Sequence, residues 1–486
     1  MNARAANLTA VSCRPLYVDL DQTLIAADVS LENWLTFAKQ GIGPVLLLCW
    51  WLLRGRAFAK AMVARRVRIN PATLPYREEV VEIVRSARAD GRRVILASGS
   101  HHRHVVHVAR HLGLFDRAVG TKGRQNLKGR AKLAWIARDA GGPFDYIGDS
   151  RADRPIWSSA CEGLTLGHDP RQAHVASVHR RRVPRWRALL KAMRPHQWAK
   201  NALVCVPLAT SGLWSEPLAI LQSGLAVLLF SVTASGVYLI NDILDIEADR
   251  AHRVKCRRPI ASGALPIPIA IGTGGALLTL PLVIAGLTLG GAFTAVLGTY
   301  LVLTTAYSLR LKQVMSLDVI VLACLYTIRI FAGSVAVSAP VSSWLLTFAI
   351  FFFLSLAYLK RYTELASNNQ APDRLVKGRG YVGGDIEVVM MSGIASGIVS
   401  ILVLALFIKS ASPAFRSGTP DLLWGLCLVL LYWLNRIWMM ARRGQVSGDP
   451  IAFAITDRRS IVLGVISLLL VLAAQRLVIG LHNFLI

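Results

Sequence analysis

From about residue 200 to its end the chain is a succession of apolar runs, each near the length of a membrane-spanning helix. A helix needs about 20 residues to cross the hydrocarbon core. Helices and closed barrels alone satisfy their backbone there. We place nine spans near 201–213, 218–240, 266–289, 292–309, 316–336, 342–359, 386–408, 422–441 and 461–481. The first is short and contains Pro207. The expectation is an all-α polytopic membrane domain over 201–486. Of the 486 residues 54% are hydrophobic and 17% charged, against roughly 25% charged in a soluble domain. A disordered chain and a wholly soluble globule are excluded.

The net charge is +27, and its placement predicts topology. Lys and Arg crowd the loops after spans two, four, six and eight. The loops after spans one, three, five and seven hold none, or only Lys409 and Arg416. The positive-inside rule puts the basic loops in the cytoplasm. The residues before span one then lie in the cytoplasm too, and the C-terminus outside an inner (cytoplasmic) membrane. The basic linker 179–200, with R-R-R-V-P-R-W-R, is suited to anionic headgroups. Nucleic acid is not expected, since no aromatic platform accompanies the charge. Seven scattered cysteines imply neither a disulfide framework nor a zinc site. The first residues lack the apolar core of a cleavable signal peptide.

Residues 1–178 read as a soluble α/β domain. Leu16-Tyr-Val18, Val94-Ile-Leu-Ala97 and Tyr146-Ile147 are short β-type runs separated by helical patterns, as in a parallel sheet. Ligands of such sheets lie beyond the carboxyl ends of the strands. There stand Asp19-Leu-Asp21-Gln-Thr23, Ser98-Gly-Ser100, Lys128 and Gly148-Asp149-Ser-Arg-Ala-Asp153. Carboxylates with a lysine suit a magnesium-bound phosphate ester.

D-x-D-x-T, a strand-end Ser, a Lys and G-D-x-x-x-D, in that order, resemble the haloacid dehalogenase (HAD) superfamily, in its phosphoserine-phosphatase-like branch. The resemblance implies a Rossmann-like fold with a helical cap over about 24–90. It implies Asp19 as nucleophile and Asp21 as general acid and then base. Ser98 and Lys128 would hold phosphoryl oxygens. Mg2+ would lie on Asp19, Asp149 and Asp153 and the Asp21 carbonyl. Within the cap, Pro44–Leu53 is too short to span. It could dip into the interface, with Trp50 and Trp51 at headgroup depth. The histidines of 101–107 are read as a solvated face.

The second expected span ends in Asn241-Asp242-Ile-Leu-Asp245-Ile-Glu-Ala-Asp249. Spacings of three and four put the three aspartates on one helical face. Acids at the end of a spanning helix are read as functional. Lys255, Arg257 and Arg258 follow in the same loop. Acids for Mg2+ beside bases for phosphate oxygens describe a diphosphate site.

N-D-x-x-D-x-x-x-D resembles the first aspartate motif of the UbiA superfamily of intramembrane prenyltransferases, which implies a UbiA-like bundle of nine helices. The usual second D-x-x-x-D after span six is replaced by Tyr358-Leu-Lys360-Arg361-Tyr-Thr-Glu364. Lys200 and Asn201 before span one, Tyr307 and Lys312 after span four, Arg329 in span five, and Asp449, Asp457 and Arg458 before span nine resemble the decaprenyl-phosphate phosphoribosyltransferase branch. That resemblance implies transfer of 5-phosphoribose from phosphoribosyl diphosphate (PRPP) to a polyprenyl phosphate, these residues binding substrate. A linked phosphatase would then remove the 5-phosphate, leaving a pentofuranose donor lipid for an envelope glycosyltransferase, with conversion to arabinose the step a downstream epimerase would supply. A homo-oligomer is compatible. The alternative enzyme joins an allylic diphosphate to an aromatic acceptor, with an independent phosphatase. A transporter carrying a regulatory HAD module is the alternative of another class.

Overall fold

The computed structural model describes residues 14–123, 126–166, 175–177, 184–340, 342–368, 375, 378–409, 420–446 and 448–476. The chain divides into two compact units. One is Met1–Ala192 with Ile240–Ile271; the other is Met193–Leu239 with Gly272–Ile486. The loop after the second expected span thus belongs with the N-terminal residues.

The first unit is built on six parallel strands: β1 (Leu16–Val18), β2 (Val94–His101), β3 (Arg117–Thr121), β4 (Asp145–Gly148), β5 (Glu162–Thr165) and β6 (Val175–Ser177). Their order is β3-β2-β1-β4-β5-β6. β1 is central, with Val18 level with Leu96 and Ile147. Its side chains are buried on both faces, as parallel sheets require. Leu16 and Val18 pack with Val80, Val81 and Val84 of α4 (Glu78–Ala89). Tyr17 packs on the other face with Ile136 of α6 (Arg130–Ala140). Between β1 and α4 lie α1 (Val29–Ala38), α2 (Ile42–Leu53) and α3 (Arg56–Ala64). These three share a separate cluster around Phe37, Trp51, Ala59 and Val63. The cap is therefore these three helices. α4, expected within it, is a layer of the sheet.

α5 (His102–Leu112) follows β2. His104 on it is buried, not solvated as expected, because it falls on the same side of the helix as Val105 and Val108.

The first unit also holds α7 (Arg154–Ser159), α8 (Arg185–Met193, but for its last residue) and α11 (Ile246–Arg250); α10 (Pro217–Leu244) and α12 (Ile267–Thr288) run from one unit into the other, and the second holds α9 (Val206–Thr210), α13 (Gly290–Leu309), α14 (Leu317–Ala336), α15 (Ser343–Asn368), α16 (Ile386–Lys409), α17 (Leu423–Arg442), α18 (Pro450–Thr456) and α19 (Arg458–Arg476). α10 and α12 to α17 are long and apolar enough to cross a membrane, seven in all among the described residues. Nine are expected, and the described residues account for seven. Residues 201–213 form a 3-10 segment (Pro195–Cys205) followed by the one-turn α9, not a span. Pro207 lacks the N–H that a continuous helix needs. The last expected span is α19 as far as Arg476; beyond it the chain lies outside the described residues.

Candidate active sites

In the soluble site β1 delivers Asp19 and Asp21, β2 delivers Ser98 and Ser100, and the turn after β4 delivers Asp149 and Asp153. Their adjacency is a product of strand order, since β1 lies between β2 and β4. Ligand oxygens of Asp19, Asp149 and Asp153 lie within 4.8 Å of one another, the sole such acidic group among the described residues. Asp19 is nearly buried. Burial pushes it up to about 8, and repulsion by Asp153, Asp21 and Asp149 adds to this against the pull of Lys132. Burial, then Asp153, pushes Asp149 up to about 7. Hard oxygen donors crowded until protons are favoured are a fitting seat for a divalent cation.

Asp153 is held differently. Burial pushes it up, but Lys132 and the Ser150 donors outweigh this and keep it below the ordinary range. It accepts from Tyr146 Oη at 2.9 Å and from Ser150 Oγ at 2.7 Å. Gly148 has no room for a side chain: a Cβ would stand 2.6 Å from the Tyr146 ring and 3.0 Å from Asp153 Oδ2.

Asp21 accepts from Ser98 Oγ at 3.0 Å, Ser100 Oγ at 2.6 Å and the Val29 backbone N–H at 2.8 Å. Lys128 is exposed; its Cβ lies near Gly99. Lys132, one helical turn on, is fully buried, with Nζ 3.0 Å from Asp19 and 3.5 Å from Asp153. Sequence reasoning passed over Lys132. Its signal was the i, i+4 repeat of lysine entering an apolar helix face. Lys60 of α3 was also missed. Its Nζ donates to the Gly99 carbonyl at 2.6 Å and to Asn126 Oδ1 at 3.2 Å.

At the end of α10, Asp245 interrupts the helix for one residue before α11. Asp242 and Asp249 are buried and Asp245 half-buried. Arg258 Nη1 lies 3.1 Å from Asp242 and 2.7 Å from Asp249. The aspartates therefore share a guanidinium rather than one tight ligand set. Asn241 is half-buried beside them; Lys255 and Arg257 are exposed.

The same loop binds the cap. Arg250 Nη1 and Nη2 each donate to one oxygen of Glu32 on α1 at 2.7 Å, and Arg250 Nε donates to the Ala261 carbonyl at 2.9 Å. Thr36 Oγ1 donates to Glu247 at 2.7 Å. Gly263, at φ +73°, meets Ala26 so closely that a Cβ would lie 2.0 Å from its carbonyl oxygen.

In the membrane unit, Lys200 Nζ contacts Asp449, and Lys360 Nζ lies 3.8 Å from the same carboxylate. Two cations converge on one acid. Arg361 is fully buried, 2.6 Å from Asp318, and also bonded to Glu364. Tyr381 Oη donates to Asp318 at 2.6 Å. Arg329, expected to bind substrate, is buried and partnered within the bundle. It donates to Asn201 Oδ1 at 2.9 Å and Tyr300 Oη at 3.2 Å. Tyr307 accepts from Arg379 at 3.4 Å, and Lys312 is half-buried. Asp457 is forked by Arg436 at 2.6 and 3.0 Å and caps α19 through Ser460. Arg458 is exposed.

The description "UbiA prenyltransferase family" matches residues 202–456, and "haloacid dehalogenase-like hydrolase" matches 16–158. The uncharacterized protein y4nM of Sinorhizobium fredii is 35% identical over 93% of this chain and 89% of its own. Nodulation protein NoeC of Azorhizobium caulinodans is 34% identical over 56% of this chain and 88% of its own. The decaprenyl-phosphate phosphoribosyltransferase of Mycolicibacterium smegmatis is 31% identical over 56% of this chain and 86% of its own. With its buried acidic sites and seven spanning-length helices, this chain is an integral membrane enzyme that belongs to the UbiA prenyltransferase family and carries a haloacid dehalogenase-like hydrolase domain.

Proposed function

We propose that the membrane domain transfers 5-phosphoribose from PRPP to a polyprenyl phosphate, and that the hydrolase domain then removes the 5-phosphate, both on the cytoplasmic face of the inner membrane. The observation that carries this reading is the convergence of Lys200 and Lys360 on Asp449. An allylic diphosphate has one anionic group, but PRPP has a second phosphate and the acceptor a third. Replacing the second acidic motif by cations suits that surplus. The relatives named decaprenyl-phosphate phosphoribosyltransferase support the same reading.

In the transfer, an oxygen of the lipid phosphate bonds to ribose C1 as the C1–O bond to diphosphate breaks. Arg258, with Lys255 and Arg257, would stabilise charge on the leaving diphosphate. Asn241, Tyr307, Lys312 and Arg458 would face substrate. Arg329, Asn201, Arg361, Glu364 and Asp457 are already paired and would hold the frame. In the hydrolysis, Asp19 attacks phosphorus while Asp21 protonates the ribose 5-oxygen. Water then cleaves the aspartyl-phosphate, with Asp21 taking its proton. Lys132, 3.0 Å away, would hold the Asp19 carboxylate in place and draw it toward the ionised form against its burial. Mg2+ seated by Asp19, Asp149 and Asp153 would neutralise phosphoryl oxygens, and Asp242, Asp245 and Asp249 would hold Mg2+ for the diphosphate only once Arg258 has left Asp242 and Asp249.

The test supplies PRPP, Mg2+ and polyprenyl phosphate to the chain in nanodiscs. Wild type should release inorganic phosphate and yield ribosyl lipid. Asp19→Asn should accumulate phosphoribosyl lipid, and Asp242→Ala should form neither. If wild type and Asp19→Asn stop at the same phosphorylated lipid, the coupling is wrong. Turnover of an allylic diphosphate with an aromatic acceptor in place of PRPP would overturn the transfer.

A further inference from the structure

α2 is twelve residues of almost unbroken apolar sequence, IGPVLLLCWWLL. Its inward side is accounted for. Trp51 is buried, stacked on Phe37 at 5.2 Å, with the Arg66 guanidinium 4.8 Å from the centre of its ring. Leu47, Leu48 and Leu52 pack beside it. The outward side is not. Ile42 is 80% exposed and Leu53 87%, and Val45, Leu46, Cys49 and Trp50 lie between them, all exposed. The offsets 0, 3, 4, 7, 8 and 11 are one stripe of a helix. A soluble surface rarely carries such a patch without an occupant.

The surrounding charge names the occupant. Between Glu32 and Glu78 the sequence has no acid, and it has eight bases: Lys39, Arg54, Arg56, Lys60, Arg65, Arg66, Arg68 and Arg77. Arg54 lies 3.8 Å over the ring of Trp50, at the edge of the stripe. Six of them, Lys39, Arg54, Arg56, Arg65, Arg66 and Arg68, are exposed, so a second copy of this surface would set cations against cations with no acid of this stretch to pair them. An anionic lipid surface offers both acyl chains for the stripe and negative charge for its border. At about 18 Å, α2 is too short to cross. The same chain supplies spanning helices, so a bilayer is always at hand.

We propose that α2 is an in-plane anchor, with Ile42, Leu46, Trp50 and Leu53 inserted among the acyl chains of an anionic leaflet and Arg54 and Arg56 at its phosphates. The hydrolase cap is then a peripheral membrane element in its own right, whatever phosphate ester the site cleaves. The two residues after α2 lead into α3, whose Lys60 touches the Gly99 carbonyl beside Asp21. The anchor is thereby joined by two residues to the helix that carries Lys60.

The experiment uses the full chain in nanodiscs of phosphatidylglycerol and phosphatidylcholine. A spin label at Leu46→Cys, in a background free of other cysteines, should collide several-fold more often with oxygen than with an aqueous nickel chelate. A label at exposed Arg110→Cys on α5 should do the reverse. Lowering the phosphatidylglycerol share should bring the Leu46 label toward the Arg110 values. If the Leu46 label is as open to nickel as the Arg110 label in anionic discs, the proposal fails. If it is shielded from both reagents and shows dipolar coupling between chains, the occupant is a second copy and the proposal fails. Should the cysteine-free background not fold, wild-type chain with photoactivatable phosphatidylglycerol decides. Lipid adducts on residues 42–53 support the anchor, and adducts confined to the spanning helices overturn it.

Discussion

Glu32 belongs to the hydrolase cap, yet its carboxylate is forked by Arg250 of the aspartate loop. We predict that Glu32→Ala impairs the transferase while sparing phosphoester hydrolysis. The guanidinium and the carboxylate are 5% and 11% exposed, so solvent replaces little of the lost contact. Removing one member of such a pair costs about 3–5 kcal/mol. Arg250 keeps its bond to the Ala261 carbonyl, which favours the lower end of that range. About 3 kcal/mol biases the loop roughly 100-fold toward undocked arrangements, at about 1.4 kcal/mol per factor of ten. Asp249 is the neighbour of Arg250, so Asp249 and its partner Arg258 move with it. We expect transferase kcat/KM to fall between about 10- and 100-fold. The assay follows labelled PRPP into lipid in nanodiscs, with p-nitrophenyl phosphate hydrolysis as the internal control. Exchanging the charges, Glu32→Arg with Arg250→Glu, should recover part of the loss. Wild-type transfer by Glu32→Ala would refute the reasoning, and so would an equal loss of both activities.

Three further outcomes are expected. Lys132→Ala should lower phosphatase turnover by about 100-fold or more, because it leaves Asp19 without its cation, whereas exposed Lys128→Ala should have the smaller effect; equal losses would reinstate Lys128 as the principal lysine. Lys360→Ala should raise the KM for PRPP or the lipid phosphate and leave a folded chain, but Arg361→Ala strands the buried Asp318 and should cost about 3–5 kcal/mol, seen as lost yield of folded protein in detergent. Burial pushes His104 down to about 4 from an ordinary 6.5. Folding then excludes a proton that the unfolded chain takes up, so stability present above pH 6.5 is lost as pH falls toward 4, by about 3 kcal/mol at about 1.36 kcal/mol per unit. Hydrogen exchange of β2 amides should accelerate over that window, and His104→Leu should flatten the response.

Much of this was legible because it is local. D-x-D at the end of a strand, and aspartates at the end of a spanning run, declare themselves by spacing. Strand order then completes the soluble site, since β1 between β2 and β4 is the usual consequence of alternating strands and helices. The seven spans announce themselves by hydropathy; 201–213 misled because an apolar run with Pro207 reads as a span by composition while its backbone cannot continue. What spacing does not carry is pairing across long separations. Lys132 looks like any helix lysine until Asp19 and Asp153 are folded around it. Arg361 reads as a phosphate ligand until Asp318, from another helix, is found against it. Glu32 and Arg250 are 218 residues apart, and neither lies in a recognisable motif.

That separation also bears on biosynthesis. At about 5–20 residues per second, Glu32 leaves the ribosome roughly 10 to 40 seconds ahead of its guanidinium. During this interval the seat on α1 stands in water awaiting a loop not yet made. A greasy seat would invite wrong company; a carboxylate and a threonine hydroxyl can wait, hydrated, without harm. The seat of the aspartate loop on α1 is polar, as a contact left open that long must be.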